Sequence, residues 1–134
     1  MRVHVQHQID ELVDDMTTIE RRFHPQVAKV VKEAAKRGND AAKGFASEQH
    51  TMHSDVDIDY APSFTTERRG DLDWEYGPDS ALPQGSKASG YEFGSINQAS
   101  PHQNLDRSVD ILAVEFPKAI GDELGGLFQR AGFR

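Results

Sequence analysis

Few side chains in this sequence have types and spacings suited to chemistry. His50 and His53 stand three apart with Asp55 close behind. Imidazole and carboxylate donors of this kind hold divalent metals. Zinc ligands paired on a helix take the order His-x-x-x-His, as in HExxH, and that order is absent. The run Asp55-Val56-Asp57-Ile58-Asp59 opens like a calcium loop. Such a loop needs Gly at its sixth position and Glu at its twelfth; those places hold Tyr60 and Thr66. No serine sits in a GxSxG elbow. With no cysteine in the chain, a thiol nucleophile and a thiolate zinc site are both excluded. Gly85-Ser86-Lys87-Ala88-Ser89-Gly90 lacks the GxxxxGK[ST] order of a phosphate loop. Arg69-Gly70-Asp71 spells an adhesion tripeptide but reads more simply as a turn. The expectation is a protein with no catalytic residue, no metal and no cofactor.

The charge balance points the same way. The chain has 134 residues, with 15 Lys and Arg against 22 Asp and Glu, a formal net charge of -7. Residues 50–79 hold eight acids and two bases, which is most of the excess. Such a balance disfavours binding to nucleic acid through its phosphates. No apolar run approaches the roughly 20 residues of a membrane span. The N-terminus has no apolar segment of a secretory signal, so a soluble intracellular protein with no membrane partner is expected. The length suits one domain spanning 1–134.

Hydrophobic periodicity supplies the elements. Residues 1–8, with His4 and His7, are expected to form a flexible tail. Ile9, Leu12, Val13, Met16, Ile19 and Phe23 recur at helical spacing, with Asp10, Glu11, Asp14, Asp15 and Glu20 on the remaining positions. Pro25 interrupts, and His24 marks a boundary or kink. A second stripe runs through Val27, Val30, Val31, Ala34, Ala35, Gly38, Ala41, Ala42 and Phe45. Gly38 and Gly44 either permit close packing or end that helix early. Helices are therefore expected over 9–49.

From residue 55 the period becomes two. Asp55–Tyr60, Ser63–Glu67 and Leu72–Tyr76 read as strands, with Arg68-Arg69-Gly70-Asp71 turning the second into the third. Residues 77–90 read as a long loop and Tyr91–Gly94 as a short strand, completing a sheet region over 55–94. Ser95–Pro101 reads as another polar loop. Leu105, Val109, Leu112, Phe116, Ile120, Leu124 and Leu127 or Phe128 then follow a helical period over 102–128, which Pro117 breaks or kinks. The predicted architecture is α+β: N-terminal helices and a C-terminal helix packed on a small antiparallel sheet with a long loop.

An ordered set of short motifs suggests a family. Gly77-Pro78-Asp79 at a strand end is followed by Gln84-Gly85, Tyr91-Glu92-Phe93-Gly94, Ser100-Pro101-His102 and Phe116-Pro117. Over roughly residues 24–128 the chain resembles the neck, or tail-component, family of long-tailed double-stranded DNA phages. It is most similar to members from actinobacteriophages. The resemblance implies a structural role at the head-to-tail joint of the virion, without catalysis. The expected assembly is a hexameric ring of the chain itself between the head-completion proteins and the tail tube or terminator, assembled in the host cytoplasm. DNA would pass through the lumen without tight binding.

Two residue sets follow. The loop with Gly77, Pro78, Asp79, Gln84, Gly85, Lys87 and Gly90 is expected to reach a neighbouring subunit, because long loops are often functional. Asp57, Asp59, Asp73 and Glu75 are expected to form an acidic sheet face toward the lumen; such residues otherwise keep a sheet edge soluble. The alternatives are a tail-terminator ring at the same joint or, in a different class, a small acidic regulatory binding module. A hydrolase lacks a nucleophile constellation.

Overall fold

The structure, a computed structural model, describes residues 5–52, 56–94 and 102–130. The elements are α1 (Val5–Met52), β1 (Phe64–Gly70), β2 (Asp73–Pro78), α2 (Ala88–Phe93) and α3 (Asn104–Arg130), with single 3₁₀ turns at Ala61–Ser63 and Gly85–Lys87. This is an α+β fold, as predicted, but several elements differ from expectation.

The two N-terminal helices are one. Helix α1 runs through Pro25 without interruption and takes in residues 5–8 of the expected tail. Proline costs the bond from its own nitrogen to the carbonyl four residues back. Here Pro25 and Arg21 are both exposed, so water can satisfy that carbonyl. The same holds for α3, where exposed Pro117 lies inside one continuous helix.

Helix α3 lies antiparallel along α1. The Arg107 guanidinium sits 3.9 Å from the centre of the Phe45 ring. About two turns further along, Arg37 donates to Glu115 through Nε (3.0 Å) and Nη2 (3.2 Å). At Gly38, α1 meets both neighbours. A Cβ there would lie 2.6 Å from Tyr76 Cζ and 2.8 Å from Leu112 Cδ1. Close packing, not helix termination, is thus the reason for this glycine. Gly44 has no such neighbour within 4 Å.

Strands β1 and β2 form a two-stranded antiparallel hairpin, with Thr66 opposite Tyr76, Glu67 opposite Glu75, and an irregularity between Arg68 and Gly70. Phe64 and Tyr76 face the helices, and Thr65, Glu67, Asp73 and Glu75 face outward, following the two-residue alternation. The hairpin tip is tied to α1 by His24 Nε2, which donates to Asp71 Oδ2 at 3.2 Å. This bond and one from Arg68 hold the exposed Asp71 carboxyl below the usual carboxylate range.

Of the strand expected over 55–60, the described residues 56–60 form a turn instead. Asp57 Oδ1 accepts the Asp59 N–H (2.8 Å), and the Asp57 carbonyl accepts the Tyr60 N–H (3.1 Å). Aspartate offers its backbone a local turn in place of a ladder. Val56 and Tyr60 are buried while Ile58, which would share their face on a strand, is 64% exposed. The expected strand at Tyr91–Gly94 is also replaced, by α2. Tyr91 and Glu92 are both buried, which consecutive residues on a strand facing the core on one side cannot be. Gly94, at φ 85°, ends that helix.

The core is small: Ala42, Ala46, Val56, Tyr60, Ala61, Phe64 and Tyr91, flanked by Tyr76, Ala88 and Leu105. Alanines on α1 let three aromatic rings lie close to its backbone. Tyr60 packs edge-on to Phe64 at 5.1 Å and tilted to Tyr91 at 4.4 Å between centroids.

Candidate functional site

Of the residues that carry the resemblance, Gly77-Pro78-Asp79, Gln84-Gly85 and Tyr91–Gly94 run from the end of β2 through α2, while Phe116-Pro117 lies within α3. Gly77 leaves the hairpin at φ 145°, a conformation that glycine adopts readily. Asp79 then folds the chain back. Its N–H donates to the Ser63 carbonyl (2.8 Å), and its Oδ1 accepts the Ala81 N–H (2.9 Å). Gln84 occupies the left-handed region at φ 65° and accepts the Tyr91 hydroxyl at 3.2 Å. Gly85 is buried, and a Cβ there would fall 1.8 Å from the Asp79 carbonyl oxygen.

At the centre is the Glu92 carboxylate, 2% exposed. Oε1 accepts the Tyr60 hydroxyl (2.6 Å) and the Asn104 side-chain amide (3.2 Å). Oε2 accepts the Leu105 N–H at 3.1 Å. The carboxylate therefore caps the first turn of α3 from another element, where an anion also suits the helix dipole. Burial and, after it, the bond to Glu92 push the Tyr60 phenol above its ordinary range. The neighbouring backbone is tied in as well: His102 N–H donates to the Tyr91 carbonyl (2.9 Å), and Gln103 N–H to the Glu92 carbonyl (3.1 Å). Nothing in the sequence marked Glu92 as more than one letter of a motif. Its signal was a lone acid between two aromatics.

The loop set is mostly half-buried, with Gly85 buried. Of Gly77, Pro78, Asp79, Gln84, Gly85, Lys87 and Gly90, only Lys87 is exposed. The long loop of 77–90 is in fact a turn, a 3₁₀ turn and the first residues of α2. Its exposed parts are Ser80–Pro83, Ser86–Lys87 and Ser89.

The acidic set is divided. Asp57 and Asp59 lie in the turn before the hairpin, not on a strand. Asp73 and Glu75 do share the outer face of β2. Glu75 stands opposite Glu67, an unfavourable like-charge pair. Arg69 reaches across to both, with Nη2 at 2.9 Å from Glu75 Oε2 and 4.0 Å from Glu67 Oε2. The sheet face is thus mixed in sign.

His53, Asp55, Ser100 and Pro101 lie outside the described residues. Among the described residues, no three His, Asp or Glu side chains gather to hold a metal, and no helix is long and apolar enough to cross a membrane. No protein-family model matches the chain, and no curated protein and no solved structure matches it either.

Proposed function

We propose that this protein is a structural component of the phage head-to-tail connector. It forms a ring, six-fold by analogy with the family, that joins the head-completion proteins to the tail tube and lets DNA pass. A tail-terminator ring at the same joint is the nearest alternative. One observation carries the reading. The motif residues of the resemblance are used in turns and packing: Gly77, Asp79, Gln84, Gly85 and Glu92 together set where β2 ends and α3 begins. A shared motif set of that kind preserves a shape, as a ring component requires. In this reading Ser80–Pro83 and Lys87 are the loop positions available to a neighbouring subunit, and Asp73 and Glu75 are the acids available to a lumen wall.

The test is localisation. An antibody to this chain should label the joint between head and tail in electron micrographs of purified particles of the phage that encodes it. Mass spectrometry of the same particles should find the chain at a fixed ratio to the tail-tube protein. Particles that contain none of it would sink the proposal.

A further inference from the structure

The two edges of the hairpin have different surroundings. β2 lies beside α3: the Tyr76 hydroxyl and Ser108 Oγ are 2.7 Å apart, and a Cβ on Gly77 would lie 3.5 Å from Leu105 Cδ2. β1 lies on the far side of the hairpin. Successive residues of a helix turn by about 100°. Arg37 reaches Glu115 of α3, Gly38 meets Tyr76 of β2, and the Asn39 amide reaches the Phe64 carbonyl of β1 at 3.4 Å. The order across α1 is therefore α3, β2, β1. Beyond β1 comes the solvent face of the helix.

The phase of the ladder identifies the backbone groups on the β1 edge. The Asp79 N–H donates to the Ser63 carbonyl, one step beyond the Phe64–Pro78 pair. Hydrogen-bonded pairs alternate along an antiparallel ladder, so Ser63, Thr65 and Glu67 bond toward β2, while Thr66 and Arg68 turn their N–H and C=O groups outward. The groups of Phe64 are taken, the N–H by Ala61 and the carbonyl by Asn39. Among the described residues nothing bonds to the Thr66 and Arg68 backbone outside the hairpin.

A row of cations runs beside this edge. Phe64 meets α1 at Asn39 and the hairpin tip meets it at His24, so β1 runs along the helix. Lys29, Lys32 and Lys36 lie between those levels, exposed, on the face beyond β1. They span about 10 Å of helix. Lys32 Nζ stands 5.8 Å from the centre of the Trp74 ring. Among the described residues no carboxylate pairs with any of the three. Glu33 stands on the α3 side of the row, in the α1–α3 groove, and Asp40 lies past Asn39 beside Lys43. On the hairpin, Glu67 and Glu75 point outward and share Arg69, and Asp71 is held by His24 and Arg68.

An unpaired edge is a template for another strand. We infer that the β1 edge, with the lysine row beside it, takes an extended acidic segment of another protein as a third strand. Its backbone pairs with Thr66 and Arg68. Carboxylates at alternate positions, about 6.6 Å apart on one face of that segment, meet Lys29, Lys32 and Lys36. The irregularity between Arg68 and Gly70 ends the pairing toward the tip. A third strand also completes a sheet that is marginal with two. A second copy is a poorer occupant, because edge-to-edge pairing of β1 brings the two lysine rows together. Nucleic acid matches the lysines but leaves the strand groups unused. The inference does not rest on the connector reading.

The test is a nuclear magnetic resonance titration of the isotope-labelled full-length chain. The probe is a short capped peptide alternating Thr and Asp. Saturable shifts at the Thr66 and Arg68 amides are expected, with slower hydrogen exchange there. The same peptide methylated at its backbone nitrogens keeps its charge and loses its donors, and should bind at least tenfold more weakly. The chain carrying Lys29→Glu and Lys36→Glu, both at exposed positions, should lose binding to the same extent with its circular dichroism unchanged. Absence of shifts at Thr66 and Arg68, or binding indifferent to methylation or to the lysine changes, overturns the proposal. Concentration-dependent shifts of the same amides in the chain alone overturn it in favour of a second copy. Tighter binding of a short DNA duplex to the lysine row, without shifts at Thr66 and Arg68, overturns it in favour of phosphate.

Discussion

The Tyr60 hydroxyl donates to Glu92 Oε1 at 2.6 Å, and neither side chain is more than 2% exposed. Substitution at the two ends of this bond should not be equivalent. Glu92→Ala leaves the Tyr60 hydroxyl, the Asn104 amide and the Leu105 N–H without their acceptor. Each unsatisfied buried donor costs about 1–3 kcal/mol. Tyr60→Phe removes a single bond to a charged acceptor, worth about 1.5–3 kcal/mol. Urea unfolding should therefore place Glu92→Ala well below Tyr60→Phe in stability.

The same bond sets a dependence on alkaline pH. The phenol is raised in the folded state, by burial first and Glu92 second. Its contribution is whole below about pH 10, the ordinary tyrosine value. Above that, the unfolded phenol ionises while the folded one stays protonated, so stability falls as pH rises. The urea midpoint of the wild-type chain should drop between pH 9 and 11, and that of Tyr60→Phe should drop less. Equal losses would exclude Tyr60 as the source.

The two glycines of α1 should respond in opposite directions to alanine. At Gly38 the new methyl group meets the Tyr76 ring and Leu112. Overpacking of this kind costs about 1–3 kcal/mol, more than the helix preference of alanine returns. Gly44 has open space, so Gly44→Ala should stabilise by up to about 1 kcal/mol. Thermal melts of the two variants, moving down and up respectively, check both.

Gly85→Ala should be the most damaging of the small changes. The clash is with a backbone carbonyl, which no rotamer can move aside. The turn at 79–85 must open, and with it the Tyr91–Gln84 bond. Loss of the near-ultraviolet circular dichroism signal, with most helical signal from α1 retained, is the expected outcome. An unchanged melting temperature would contradict the packing described.

What was legible in the sequence depended on how far each element's cause lies along the chain. The hairpin was readable because alternation and its turn are local. The stripe of α1 from Val27 to Phe45 was readable for the same reason, while Gly38 stood between close packing and an early helix end until its contacts with Tyr76 and Leu112 decided it. Pro25 misled because its cost is local while its tolerance comes from exposure in the folded chain. Asp55–Tyr60 misled because alternating acids suit a strand and an aspartate turn equally, and the hydrogen bonds of Asp57 decide between them. Glu92 was invisible as a site. Its partners are 12 to 32 residues away, and only the folded chain brings them to one carboxylate.

The continuity of α1 has a hydrodynamic consequence. A helix of 48 residues is about 72 Å long. A compact chain of 134 residues has a radius of gyration near 14 Å, so the helix is about twice as long as such a globule is wide. A single molecule in dilute solution should therefore scatter X-rays as an elongated particle and sediment more slowly than a sphere of its mass. Its measured size alone would overstate the number of copies.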